Sequence, residues 1–239
     1  MRKTLAVLML SVVPMMVPMI SAAAESDANA LARLAPDADP RVLSLAMDAR
    51  DCAAHELGQE PSQRLAVIDY SRPSTEPRLW VFDLEKNQLL FREVVAHGQG
   101  SGENMASRFS NVDGTHASSL GLFRTADTYT GHNGYSLRLQ GLEPGTNDAA
   151  EARAIVMHGA AYVDPARAKQ QGRLGRSWGC PALRPEVAKS VIDSLKHGQM
   201  IFGYYPDKKW LAHSPFIACK NRSVAAAAAR TPTTASASL

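Results

Sequence analysis

Cysteine is scarce in this chain, with three in 239 residues, and none falls in the paired C-x-x-C spacing of a structural zinc site. Aromatic residues make up 6%. No dense Lys/Arg run occurs after residue 30, and two of the charges behind the formal +3, Arg2 and Lys3, lie in a segment expected to be removed. A nucleic-acid binder carries a basic stripe, so that class of partner is excluded. No internal repeat occurs, which sets aside solenoids. At 45% hydrophobic and 21% charged, with 16 Gly and 14 Pro, the composition is that of an ordinary globular domain of middling size.

The longest apolar run, Leu5 to Ile20, is short for a bilayer span of about 20 residues and is broken by Pro14 and Pro18. It follows Met1-Arg-Lys3 and leads into Ser21-Ala-Ala-Ala24, the layout of a signal peptide over residues 1–24, with an uncleaved anchor as the alternative. Either way the protein is expected to be exported, to a periplasm or cell envelope, without stable membrane insertion once the signal is removed. In that oxidising setting two of Cys52, Cys180 and Cys219 can pair.

Residues 25–60 read as a mobile lead-in to Asp39 followed by a helix. Pro40 sits at its first position, its apolar face is Val42, Leu43, Leu45, Ala46, Ala49, Cys52 and Ala53, and Gly58 ends it. The period then switches to strands at 64–70, 78–84, 89–96, 120–125, 135–139, 152–158 and 200–205. A helix is predicted over 185–197, with Val187, Val191 and Leu195 one turn apart and Gly198 as its cap. The fold class is mainly β with flanking helices. A β-dominated domain is placed at 61–207, and residues 208–239 form a C-terminal extension, disordered from about 223.

Chemistry concentrates in Gly175-Arg-Ser-Trp-Gly-Cys180-Pro, with Val156-Met-His158-Gly159 upstream. A nucleophilic thiol needs a lowered pKa, a base in reach and oxyanion donors. The nearby helix start is expected to lower the thiol pKa, His158 to act as base, and the Gly179 and Cys180 amides to face one point. A structural cysteine in a glycine turn, with an unrelated histidine, is the competing reading.

His158-Gly159 with Ser177-Trp-Gly-Cys180 resembles the signature of the murein L,D-transpeptidase catalytic domain family (YkuD-like), in its exported branch. The stretches 74–78, 96–102, 134–138 and 172–181 are similar too. The resemblance implies a YkuD-like β-sandwich and a Cys180 thioester formed on peptidoglycan stem peptides. A diamino acid–D-Ala bond would be cleaved, and an amine acceptor would give 3-3 cross-links. His158 would be the base, oriented by the Gly159 carbonyl, with oxyanion donors near Gly179 and Cys180. Two positions depart from the usual pattern: Trp178 replaces His or Arg, and Ala182 stands where Arg or Asn is usual, leaving Arg184 as a candidate substitute. The alternatives are an L,D-carboxypeptidase or amidase-like hydrolase on the same stems, and an inactive peptidoglycan-binding protein.

Ser177, Trp178, Arg176, His97, Tyr135 and Arg184 are candidate substrate-binding residues, with Arg173 beside Arg176 to steer a stem carboxylate. For His97 the alternative is a solvated loop histidine, for Tyr135 a structural strand residue, and for Trp178 packing against the core. Cys52 and Cys219 flank the β domain and are expected to pair, leaving Cys180 free. Neither metal nor cofactor is expected.

Overall fold

The computed structural model describes residues 28–217 and 219. The expected signal peptide, residues 1–24, and the tail expected to be disordered from about 223 lie outside the described residues. Residues 28–34 are helical (α1), where the sequence reading placed a mobile lead-in. Ala28, Leu31 and Ala35 are small or slender side chains at helical spacing, and all three are buried. A face built mainly from alanine gave too little periodic signal to be read.

Helix α2 (Pro40–Leu57) begins and ends as its punctuation dictates. Asp39 Oδ1 accepts from the Arg41 amide, Pro40 stands at the first turn, and Gly58 closes the helix in the left-handed conformation at φ 60. Its buried face takes in Met47 and Ala54 besides the expected residues, while Leu45 is half-buried. A disulfide joins Cys52 of this helix to Cys219.

The strands are β1 (Arg64–Asp69), β2 (Leu79–Asp83), β3 (Gln88–Glu93), β4 (Gly121–Gly131), β5 (Gly134–Gly141), β6 (Val156–Gly159), β7 (Ala182–Leu183) and β8 (Met200–Tyr204). They form one eight-stranded sheet in the order β3-β2-β1-β8-β4-β5-β6-β7. Strand β8 runs parallel to β1 and antiparallel to β4. The sheet's outer strands also approach each other, because Ala96, just past β3, bridges Ala182 in β7. Strands β1, β2 and β8 are buried nearly throughout, which is why they read as continuous apolar runs, whereas β5 alternates around exposed Arg138.

Helix α4 (Pro185–Leu195) packs on β6, β5 and β1, burying Ala188, Val191, Ile192 and Leu195. It stops short of the expected His197 because the amides of His197 and Gly198 turn to the carbonyls of Ala126 and Thr125. Two short helices escaped the sequence reading, α3 (Pro165–Gln171) and α5 (Lys208–His213). No helix among the described residues is long and apolar enough to cross a membrane.

Candidate active site

Three loops meet backbone to backbone around the cysteine. Ser177 N–H donates to His97 O (3.0 Å) and Gln99 N–H to Ser177 O (2.8 Å), joining the 97–102 loop to the cysteine turn. Ser118 links the third loop: its Oγ accepts from Gly98 N–H (3.0 Å) and donates to Gly179 O (2.9 Å). A Cβ on Gly98 would lie 2.2 Å from His116 O and 2.7 Å from Gly179 Cα, so this approach excludes any side chain there. The Gly/Ser content of the 97–102 loop therefore serves close backbone packing.

The cysteine turn closes on Ser177. Its Oγ donates to Cys180 O at 2.6 Å and accepts from Gly179 N–H at 3.1 Å. Gly179 sits at φ 120, and a Cβ there would meet Ile155 Cδ1 at 2.8 Å and Ala117 O at 2.9 Å. One expectation is corrected here: the Gly179 amide is engaged by Ser177 and is not free to serve an oxyanion. The Cys180 amide lies beside its own Sγ, where it favours the thiolate.

Cys180 is free and buried, its Sγ between the Val156 amide (3.4 Å) and the Ala154 carbonyl (3.8 Å). Burial pushes its thiol pKa up, against the Val156 amide and the nearby Arg153 guanidinium, which favour the thiolate. The expected lowering by a helix start does not occur, since β7 intervenes and α4 begins only at Pro185. Arg153, which the sequence reading did not single out, donates to Ser110 O, Ala117 O and Ser119 Oγ and so holds the 110–119 loop.

His158 is the penultimate residue of β6, opposite Ala182 of β7. Its Nδ1 lies 3.0 Å from Gly159 O. A carbonyl only accepts, so Nδ1 carries the proton and Nε2 is left with the lone pair of a base. Burial lowers the imidazole pKa. Gly159 is required here because a Cβ would fall 2.9 Å from Ala188 Cβ on α4.

His158 and Cys180 line one cleft of about 420 Å³, together with Arg176, Ser177, Trp178, Gln99, His132, Asn133 and Tyr162. Trp178 is 69% exposed and stacks on His116, with ring centroids 4.7 Å apart and planes 2° from parallel, so it is not the core-packed aromatic of the alternative reading. Tyr162 was missed. Its signal is Gly175, whose absent Cβ would fall 2.5 Å from Tyr162 Cβ, and burial beside Cys180 pushes its phenol pKa up.

Three candidate residues do not reach the cleft. His97 is wholly buried, its Nδ1 accepting from Arg78 Nη2 (2.8 Å) and its Nε2 directed at Gly102 O (3.3 Å). It is neither a substrate ligand nor a solvated loop residue. Tyr135 donates to Asp193 Oδ1 on α4 at 2.8 Å. Arg184 forms a two-point pair with Glu93 (2.7 and 2.9 Å) and borders a different hollow, beside Asp164, so it does not stand in for the arginine missing at Ala182. Among the described residues the clustered metal-type ligands are Cys52, Glu56 and Cys219, and both sulfurs are committed to the disulfide.

The sequence model of a family described as the L,D-transpeptidase catalytic domain matches residues 34–204. No curated protein matches the chain. Among solved structures, an L,D-transpeptidase from Mycobacterium smegmatis is 14% identical over 62% of this chain and 61% of its own, with a TM-score of 0.38. L,D-transpeptidase 1 of Mycobacterium tuberculosis is 13% identical over 62% and 64%, with a TM-score of 0.35. The helical cell shape determining protein Pgp2 of Campylobacter jejuni, as its K307A mutant, is 11% identical over 69% and 56%, with a TM-score of 0.41. The chain thus covers under two thirds of the length of each.

Proposed function

Since the chain belongs to the L,D-transpeptidase catalytic domain family, we propose that it is an exported cysteine acyltransferase acting on peptidoglycan stem peptides. The observation that carries this reading is the pairing of a free Cys180 with His158 on one cleft, the histidine fixed by Gly159 O in the tautomer that leaves Nε2 as base.

With the thiol pKa raised and the imidazole pKa lowered, the resting pair is neutral. Proton transfer then belongs to the attack: Nε2 takes the thiol proton as Sγ bonds to the carbonyl carbon of the diamino acid–D-Ala amide. The oxyanion forms where the Cys180 amide can donate. Collapse breaks the C–N bond, and the imidazolium returns its proton to the departing D-Ala amine, leaving a Cys180 thioester. An amine on a second stem loses its proton to His158, attacks the thioester and restores the thiol, giving a 3-3 link.

The test is mass spectrometry of disaccharide-tetrapeptides incubated with the protein and with its Cys180→Ala variant. We expect D-Ala loss and 3-3 dimers only with the parent. D-Ala loss without dimers would replace transfer by hydrolysis. No Cys180-dependent change would leave a binding protein.

A further inference from the structure

Glu103 lies across two arginines, of which Arg176 lines the Cys180 cleft. Its Oε2 is 2.8 Å from Arg173 Nε and its Oε1 is 2.8 Å from Arg176 Nη1. Each guanidinium also has a backbone anchor independent of the carboxylate. Arg173 Nη1 donates to Leu174 O at 3.1 Å, and Arg176 Nη1 donates to Gly102 O at 2.9 Å.

Exposure separates the fixed part from the movable one. The Arg173 and Arg176 side chains are 32% and 20% exposed, whereas that of Glu103 is 72% exposed. An ion pair this open to water holds weakly, so Glu103 can leave while the arginines stay in place. The pair carries two positive charges against one carboxylate, and Arg176 faces the same cleft as Cys180. Planar guanidiniums match a carboxylate better than other groups do, and a ligand carboxylate drawn into the cleft is shielded from water more than Glu103 is.

We propose that Arg173 and Arg176 form a carboxylate-binding site in the cleft wall, that Glu103 fills it in the empty protein, and that a carboxylate of the acyl donor displaces Glu103. The choice of ligand rests on the function proposed above. The carboxylate of the departing D-Ala is the favoured source, since it lies one carbon beyond the amine that leaves the acyl group. Glu103 then acts as an internal competitor: a donor lacking that carboxylate does not remove it, and the cleft wall stays filled.

Calorimetric binding with the full chain carrying Cys180→Ser tests this without turnover. The probes are a tetrapeptide ending in D-Ala, the same peptide ending in D-alaninamide, and the same peptide amidated at its other carboxylate. We expect the free D-Ala form to bind about tenfold tighter than the alaninamide form, as a charge-assisted pair is worth. Adding Glu103→Gln should tighten the free form and leave the alaninamide unchanged, and Arg173→Gln should abolish the difference. If amidation of the other carboxylate causes the loss instead, and Glu103→Gln still discriminates, the site holds with that group as its ligand. Equal Kd values for all three forms, an equal effect of Glu103→Gln on all, or no binding by any form would overturn it. Cys180-dependent D-Ala release by the unsubstituted chain is read separately. It survives failure of the carboxylate site, and binding without release would sink the reaction while leaving the site.

Discussion

Arg78 Nη2 lies 2.8 Å from His97 Nδ1, and since a guanidinium only donates, His97 must be neutral with its proton on Nε2. Arg78 is itself fully buried, held by the carbonyls of Val95 and Arg72, and its pKa falls to about 10. Burial and that adjacent charge together push the His97 pKa down to about 4.

A pH dependence of stability follows from this pair. The folded protein takes up the His97 proton near pH 4, while the unfolded chain takes it up near 6.5. Between these values the unfolded state binds more protons, so the contribution is complete above pH 6.5 and is lost as pH falls through 4. Its size is of order 3 kcal/mol from the linkage relation. Urea unfolding at pH 7.5 and 4.5 should show a smaller drop for His97→Gln than for the parent; equal drops would refute the assignment.

Cys180 should show no thiolate signature at neutral pH. Its thiol pKa is raised above the ordinary value of 9.0, so iodoacetamide alkylation should climb with pH and level off only above 9. Acylation by a donor depends instead on neutral His158. It should fall as pH drops through a midpoint below 6.5, because burial depresses that imidazole. A plateau in alkylation at pH 7 would show a preformed ion pair and contradict the neutral resting state.

Ser177→Ala should loosen the cysteine turn. The substitution strips both the Cys180 carbonyl and the Gly179 amide of their Oγ partner. Leaving buried polar groups unpaired costs about 1–3 kcal/mol. Cys180 acylation should slow by at least about tenfold, the rate equivalent of 1.4 kcal/mol. Ser177→Thr, which keeps the hydroxyl, should recover more of the rate than alanine does.

Gly179→Ala combines a strained backbone at φ 120 with contacts of 2.8 and 2.9 Å to Ile155 and Ala117. Each effect costs roughly 1–3 kcal/mol. We expect a fall in Tm together with loss of Cys180 labelling. An unchanged Tm would mean the turn adapts at no cost.

Reduction should expose the weight of the Cys52–Cys219 bond, whose partners lie 167 positions apart. On the chain-entropy relation, closing a loop this long stabilises the fold by about 5 kcal/mol. Thiol titration of unfolded protein should find one thiol before reduction and three after, with a marked drop in Tm under reductant.

The legible parts of this chain were those whose pattern is local. Asp39-Pro40 and Gly58 bracket α2, and the unbroken apolar runs at 64–70 and 200–205 mark strands covered on both faces. The same punctuation, Asp164-Pro165 and Gly172, brackets α3, but its polar stretch lacks an apolar face to draw notice. The Cys52–Cys219 pair, with Cys180 left free, was legible from where the three cysteines fall in the chain, while Cys180 and His158 were singled out by their motif. His97, Tyr135 and Arg184 were misread because their partners, Arg78, Asp193 and Glu93, come from other elements. No local pattern encodes which of several polar side chains a distant strand or helix will claim.

Strand β8 lies between β1 and β4, joining the 64–93 meander to the strands that carry His158 and follow the Cys180 turn, yet it is the last strand to be made. Until residue 204 is available, the two groups of strands have no common neighbour at the centre of the sheet, and β1 and β4 each present an open edge. The centre of the sheet is therefore closed by long-range pairing, which carries a high entropic cost of search. A chain cut off before Met200 would hold the whole nucleophile motif but lack the one strand that pairs with both β1 and β4.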